Sequence, residues 1–244
     1  MSGSWVLFLL IFISSIPIIV VFLWFRLAKY QLSVIRFLFA LLAGATAVFP
    51  ARFLQEMLLR LPFPTEGRLA LLYEIFFRIA FTEELSRLLL LFVFFLISAR
   101  IAPKTPDSSQ TGADQPLPYN ALKKGTAIGL VAGLGFALIE SAIYGAADFS
   151  ILPLRAVTAA PLHAACGSRV GGSAVLFRTN PIQAIYRLLA ATAIHGVYNM
   201  FMVARSADHY GSPISLPQIL AVVIALSALI TSIVTIRDGW KDSA

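Results

Sequence analysis

Residues 122–147 read LKKGTAIGLVAGLGFALIESAIYGAA. Two lysines open the stretch, and Gly125–Ile139 then carry no charge at all. About 20 predominantly apolar residues suffice to cross the hydrocarbon core of a bilayer, so this run reads as a membrane helix. Gly125, Gly129 and Gly133 recur every four residues and therefore share one helical stripe. Glu140 lies seven residues beyond Gly133, within about 20° of that stripe at 3.6 residues per turn. Small residues mark where membrane helices touch. The acid of this helix is thus aimed into a helix bundle and away from lipid, where an ionisable group needs a partner or a task.

The rest of the chain agrees. Of 244 residues, 59% are apolar and 13% charged, and the mean hydropathy is +0.84. Soluble domains run nearer one quarter charged, so a soluble enzyme, a disordered chain and a coiled coil are excluded. The expected fold is all-α: a polytopic bundle of about seven spans at 5–25, 34–50, 70–98, 122–147, 152–176, 181–204 and 215–236. Cys166 is the one cysteine, which excludes an intrachain disulfide and a Cys-rich zinc site. The net charge of +7 does not indicate nucleic acid, because the basic residues sit between apolar spans and report topology instead.

Placing the N-terminus outside puts twelve lysines and arginines on the cytoplasmic side and five on the outer side, which favours N-out/C-in. Trp5–Phe25 lacks a basic leader and is long for a signal peptide, so it reads as a retained span. Residues 101–119 are rich in Pro, Ser, Asp and Gln and form a flexible cytoplasmic linker. Residues 51–69, with alternating charge and then Pro62 and Pro64, read as an amphipathic helix on the outer interface. The organisation is one membrane domain, 1–244, with a candidate catalytic core at 70–204.

Ionisable groups inside the spans are few. They are Glu83, Glu84 and Arg87 in the third span, Glu140 in the fourth, His163 in the fifth and His195 in the sixth, with Asn199 one turn on. Counted along their helices, they fall between the midplane and the outer leaflet, so they can converge in one cavity. Either glutamate can simply neutralise Arg87, since i,i+3 and i,i+4 neighbours touch. Two adjacent glutamates exceed that need. A buried glutamate can act as general base, and His or Asn can donate to an oxyanion. Two histidines and Glu140 can instead hold Zn²⁺ with an open position for water.

Four stretches then resemble one family. Glu83-Glu84-Leu85-Ser86-Arg87 looks like the EExxK/R motif of the PrsW-type intramembrane proteases. Phe136 to Glu140 resembles their FxxxE motif in a glycine-rich helix, Pro161-Leu162-His163 their third region, and His195 to Asn199 their HxxxN. The wider clan holds the CAAX prenyl endopeptidases and Abi-type proteases. Here the arginine follows Glu84 by three residues and the second motif ends in Glu140, which favours the PrsW branch.

The resemblance implies peptide hydrolysis in a membrane-anchored protein near the outer face, an anti-sigma factor in the members with known roles. It implies that Glu83 and Glu84, helped by Glu140, activate water. It implies that His163 and His195 polarise the carbonyl or bind metal, that Asn199 orients His195 or joins the oxyanion hole, and that Arg87 holds a glutamate in place. The expected location is a bacterial cytoplasmic membrane, with no nucleic-acid partner. The competing readings are a proton-coupled carrier built on the same Glu/His set, disfavoured because the chain shows no inverted repeat, and a non-catalytic scaffold of the same clan.

Overall fold

The computed structural model describes residues 3–30, 32–61, 66–101, 119–207 and 215–237. Among these, every regular element is helical. In chain order they are α1 (Gly3–Leu27), α2 (Val34–Thr46), α3 (Val48–Leu59), α4 (Gly67–Leu72), a π-helical segment (Tyr73–Phe81), α5 (Thr82–Ile101), α6 (Tyr119–Ala147), a 3-10 turn (Phe149–Ile151), α7 (Leu152–Val157), α8 (Ala159–Leu176), α9 (Pro181–Ala207) and α10 (Leu216–Arg237).

Among the described residues, four helices are long and apolar enough to cross a membrane: Phe8–Leu27, Val34–Leu59, Ala121–Ala147 and Leu216–Arg237. A fifth span results if Phe149–Val157 and Ala159–Leu176, bent by 46° at Thr158, count as one broken crossing. The expected spans at 70–98 and 181–204 are helical but fall short in apolarity. The cause is their cargo: α5 carries Glu83, Glu84 and Arg87, and α9 carries Arg187, His195 and Asn199.

The stretch after residue 50 differs from the expectation. α3 continues α2 as one span to Leu59 instead of turning onto the interface. Arg52, Glu56 and Arg60 form an exposed stripe at four-residue spacing, but Ala47, Ala51 and Gln55 form a buried one beside it. The buried stripe faces α5, so packing and not the charge pattern sets the direction of the helix. The expected linker falls between the end of α5 and the start of α6, and residues 102–118 lie outside the described residues.

The core is built on α6, whose most apolar window is 72% buried against 17% for α1. α6 packs against α8 on one side and α2 on the other. The seam with α8 is as tight as backbones allow. A Cβ on Gly129 would stand 2.1 Å from the Gly167 carbonyl oxygen, and one on Gly133 would stand 1.9 Å from that of His163. Lipid tails are as apolar as leucine, so membrane helices gain from close van der Waals approach, which only small residues permit. This seam fixes the backbone of His163.

Candidate active site

α5 starts directly after the π-helical segment, whose wider turns re-aim the residues that follow. The Thr82 hydroxyl donates to the carbonyls of Arg78 (2.6 Å) and Ile79 (3.0 Å), closing that junction. Glu83 and Glu84 therefore occupy the first turn of α5, and both are buried. Arg87, one turn later, is fully buried and pairs with Glu84. Its Nε donates to the Glu83 carbonyl (3.3 Å) and its Nη1 to the His163 carbonyl (3.2 Å). The guanidinium lies 4.6 Å from the centroid of the Phe136 ring, an arrangement in which cation and π-face attract.

The two histidines come from α8 and α9, with ring centroids 5.0 Å apart and planes perpendicular. His163 Nε2 lies 2.7 Å from Glu140 Oε2. His195 Nδ1 lies 2.7 Å from Glu84 Oε1, and its Nε2 lies 3.7 Å from Glu83 Oε2. An ionised carboxylate only accepts hydrogen bonds, so each histidine donates from the nitrogen it turns to its glutamate. In the neutral form of each ring, the opposite nitrogen, Nδ1 of His163 and Nε2 of His195, carries the lone pair. His163 Nδ1 and Glu83 Oε2 have no hydrogen-bond partner although both are buried.

Each glutamate is held from behind. Glu140 Oε2 also accepts from Arg155 Nη2 at 2.5 Å, and Arg155 Nε donates to the Ser141 hydroxyl at 3.2 Å. The bend at Thr158 is what brings α7, and Arg155 with it, over the end of α6. Glu83 Oε1 accepts from Gln55 Nε2 at 3.2 Å. Gln55 Oε1 in turn accepts from Arg52 Nη1 at 3.4 Å.

Five of the six expected catalytic residues, Glu83, Glu84, Glu140, His163 and His195, thus meet in one buried cluster with Arg87. Asn199 is half-buried one turn beyond His195 and takes no part in these contacts. Glu140, expected as a metal donor beside the histidines, contacts His163 through its Nε2 and is not in the group of donors that converge. The acid grouped with both histidines is Glu83: one donor atom each from Glu83, His163 and His195 lie within 4.8 Å of one another. This set fits a metal. It offers one carboxylate oxygen and two imidazole nitrogens, the donor types of a His₂Glu zinc site, and two buried polar atoms of these residues, His163 Nδ1 and Glu83 Oε2, have no hydrogen-bond partner among the described residues.

Three residues make contacts that the sequence does not show. Gln55 lies in the stretch that reads as interfacial, although Ala47, Ala51 and Gln55 at four-residue spacing signal a packed face. Arg155 precedes the third motif and counts among the outer basic charges, and only the bend reveals its reach to Glu140. Phe136 was noted as a motif letter, without its place between Arg87 and the His163 ring, which it approaches at 5.1 Å.

A sequence model described as PrsW family intramembrane metalloprotease matches residues 33–230. No curated protein and no solved structure matches.

Proposed function

The chain belongs to the PrsW family of intramembrane metalloproteases, and from that premise we infer that it hydrolyses a peptide bond of a membrane-anchored protein at the buried Glu/His cluster. The observation that carries this reading is the pair of histidines, each held by a glutamate through one ring nitrogen, with one donor atom of each grouped within 4.8 Å of a Glu83 carboxylate oxygen.

Glu83, His163 and His195 are the residues that would hold the metal, with Zn²⁺ the ion that suits the donors. A bound zinc supplies an acidified water and a Lewis acid for the scissile carbonyl. The chain's own residues do the rest. Glu140 and Glu84 fix ring orientation and tautomer by taking the N–H of His163 Nε2 and of His195 Nδ1. Arg155 and Arg87 balance those two carboxylates, so neither is a lone charge in the bilayer. Gln55 directs the Glu83 carboxylate. Glu84 Oε2 is buried without a hydrogen bond and is the oxygen we assign to taking a proton from water. Asn199 remains the donor available to substrate beyond His195.

On the same reading, α5 and α9 also cross the bilayer, giving seven spans with the N-terminus outside, as the excess of basic residues at the opposite end supports. The cluster then lies toward the outer leaflet of a bacterial cytoplasmic membrane, and a single-span anti-sigma factor is the substrate class the family suggests. The test is cleavage of tagged single-span proteins in proteoliposomes, alongside metal analysis of the purified chain. Wild type is expected to cleave and to carry about one metal per chain. Glu83→Gln, His163→Ala and His195→Ala are expected to lose both, and full activity in all three would overturn the assignment.

A further inference from the structure

Away from the cluster, a partly open recess of about 100 Å³ lies between α6, α8, α9 and α10. Two arginines, Arg169 and Arg187, line it together with hydroxyl side chains, and no carboxylate does. Arg169 is held entirely by neutral acceptors: its Nη1 donates to the Ala165 carbonyl (2.9 Å), the Ala228 carbonyl (3.3 Å) and Ser232 Oγ (3.2 Å), and its Nη2 to Thr231 Oγ1 (2.8 Å). Arg187 is half-buried and has no hydrogen-bond or ion-pair partner among the described residues. Its Nη1 packs over Gly172, where a Cβ would stand 3.0 Å from it.

The contrast with the catalytic cluster is direct. There, Arg87 and Arg155 each meet a glutamate. Here, two guanidiniums line one recess that no carboxylate among the described residues lines, and neither makes an ion pair there. Such charge inside a helix bundle calls for an anion. The planar fork of arginine matches the oxygens of a phosphoryl group, and the Thr235 hydroxyl, which here donates to the Thr231 carbonyl at 2.8 Å, can rotate to donate to an oxygen left over.

The recess is also at a depth where phosphate is plentiful. Thr235 lies two residues, about 3 Å, from the end of α10, and Arg187 lies six residues, about 9 Å, from the start of α9. This is the end of the bundle that carries Lys123, Lys124, Arg178 and Arg237. Basic pockets between membrane helices at that level take lipid head groups. Arg169 follows His163 by six residues of α8, about 9 Å along the axis, so the recess is separate from the catalytic cluster.

We propose that the recess formed by Arg169, Arg187 and the α10 hydroxyls is a phosphate-binding site, filled by the phosphoryl group of a phospholipid or by free phosphate. It stands independently of the protease reading, and occupancy would tie α10 to α8 and α9.

The test uses the full chain in an uncharged maltoside detergent. Native mass spectrometry and thermal melting are followed while phosphatidylglycerol, phosphatidylcholine or inorganic phosphate is titrated in. One saturable site per chain is expected. Arg187→Gln should weaken it roughly tenfold or more, the weight of a charge-assisted hydrogen bond. Thr235→Val should weaken it less, and Arg178→Gln, an exposed arginine at the same end, should leave it unchanged. Arg187→Lys should recover part of the loss. Binding by lipid without competition from inorganic phosphate identifies a head-group site. Binding or competition by inorganic phosphate identifies a free-anion site. The proposal is overturned if no probe saturates one site, or if Arg187→Gln and Thr235→Val both bind as wild type does.

Discussion

The two histidines of the cluster are held through different ring nitrogens. His163 is oriented through Nε2 and offers Nδ1, whereas His195 is oriented through Nδ1 and offers Nε2. Their supporting glutamates are therefore expected to matter through metal affinity and not through folding alone. Glu140→Gln should weaken metal binding about 10–100-fold, as loss of an orienting carboxylate commonly does, and chelator competition on the purified chain measures it. Gln55→Leu should act differently. It strips the donor from Glu83 Oε1 and leaves that oxygen buried and unpaired, a loss of about 1–3 kcal/mol. Cleavage should fall while the chain stays folded, and Gln55→Glu should not restore it, because a second carboxylate has no proton to give. The charged members of the cluster were legible in the sequence because so few charges enter the spans, and each of them needed a reason. Gln55 was not, since a neutral amide near a helix end is costless in most settings.

At the scale of elements, periodicity carried the reading where the backbone is regular. Gly125, Gly129 and Gly133 announced the α6–α8 seam, and the seam then delivered Glu140 and His163 to the same side. Charge marks an interruption before Glu83, but the geometry of the interruptions was not legible. The π-helical segment before Glu83 and the 46° bend at Thr158 leave no period in the sequence, because tertiary contacts and not local propensity decide them. The charged stripe of α3 masked its alanine stripe for a related reason: amphipathic pattern reports solvent or interface only when nothing packs on the other side. Gly129→Ala should cost about 1–3 kcal/mol through overpacking, since its new methyl meets the Gly167 carbonyl oxygen. A lowered thermal midpoint in detergent, with metal binding weakened in step, is the expected outcome. An unchanged midpoint would mean that the seam yields.

Taken whole, the molecule surrounds a charged interior with an apolar coat. Three glutamates and two arginines close around two histidines at its centre. Trp5, Phe8, Phe39, Phe49 and Phe53 are among the side chains that face outward, as lipid contact requires. That division explains why composition alone placed the chain in a membrane, while span number depends on helices made less apolar by the residues they carry. It also bears on how a substrate is taken in. His163 sits on a backbone pressed against Gly133 with no slack, so the floor of the site has no compliance to lend. A transmembrane substrate arrives as a helix with its peptide bonds already turned inward on themselves. If the enzyme does not yield at that wall, the substrate must, and local unwinding becomes part of the barrier. Substrates with glycine or proline near the scissile bond are expected to be cut severalfold faster than alanine or leucine counterparts, following their roughly 1 and 3 kcal/mol helix penalties. Cleavage rates across such a series in proteoliposomes would measure how far selectivity lies in the stiffness of the partner and not in its side chains.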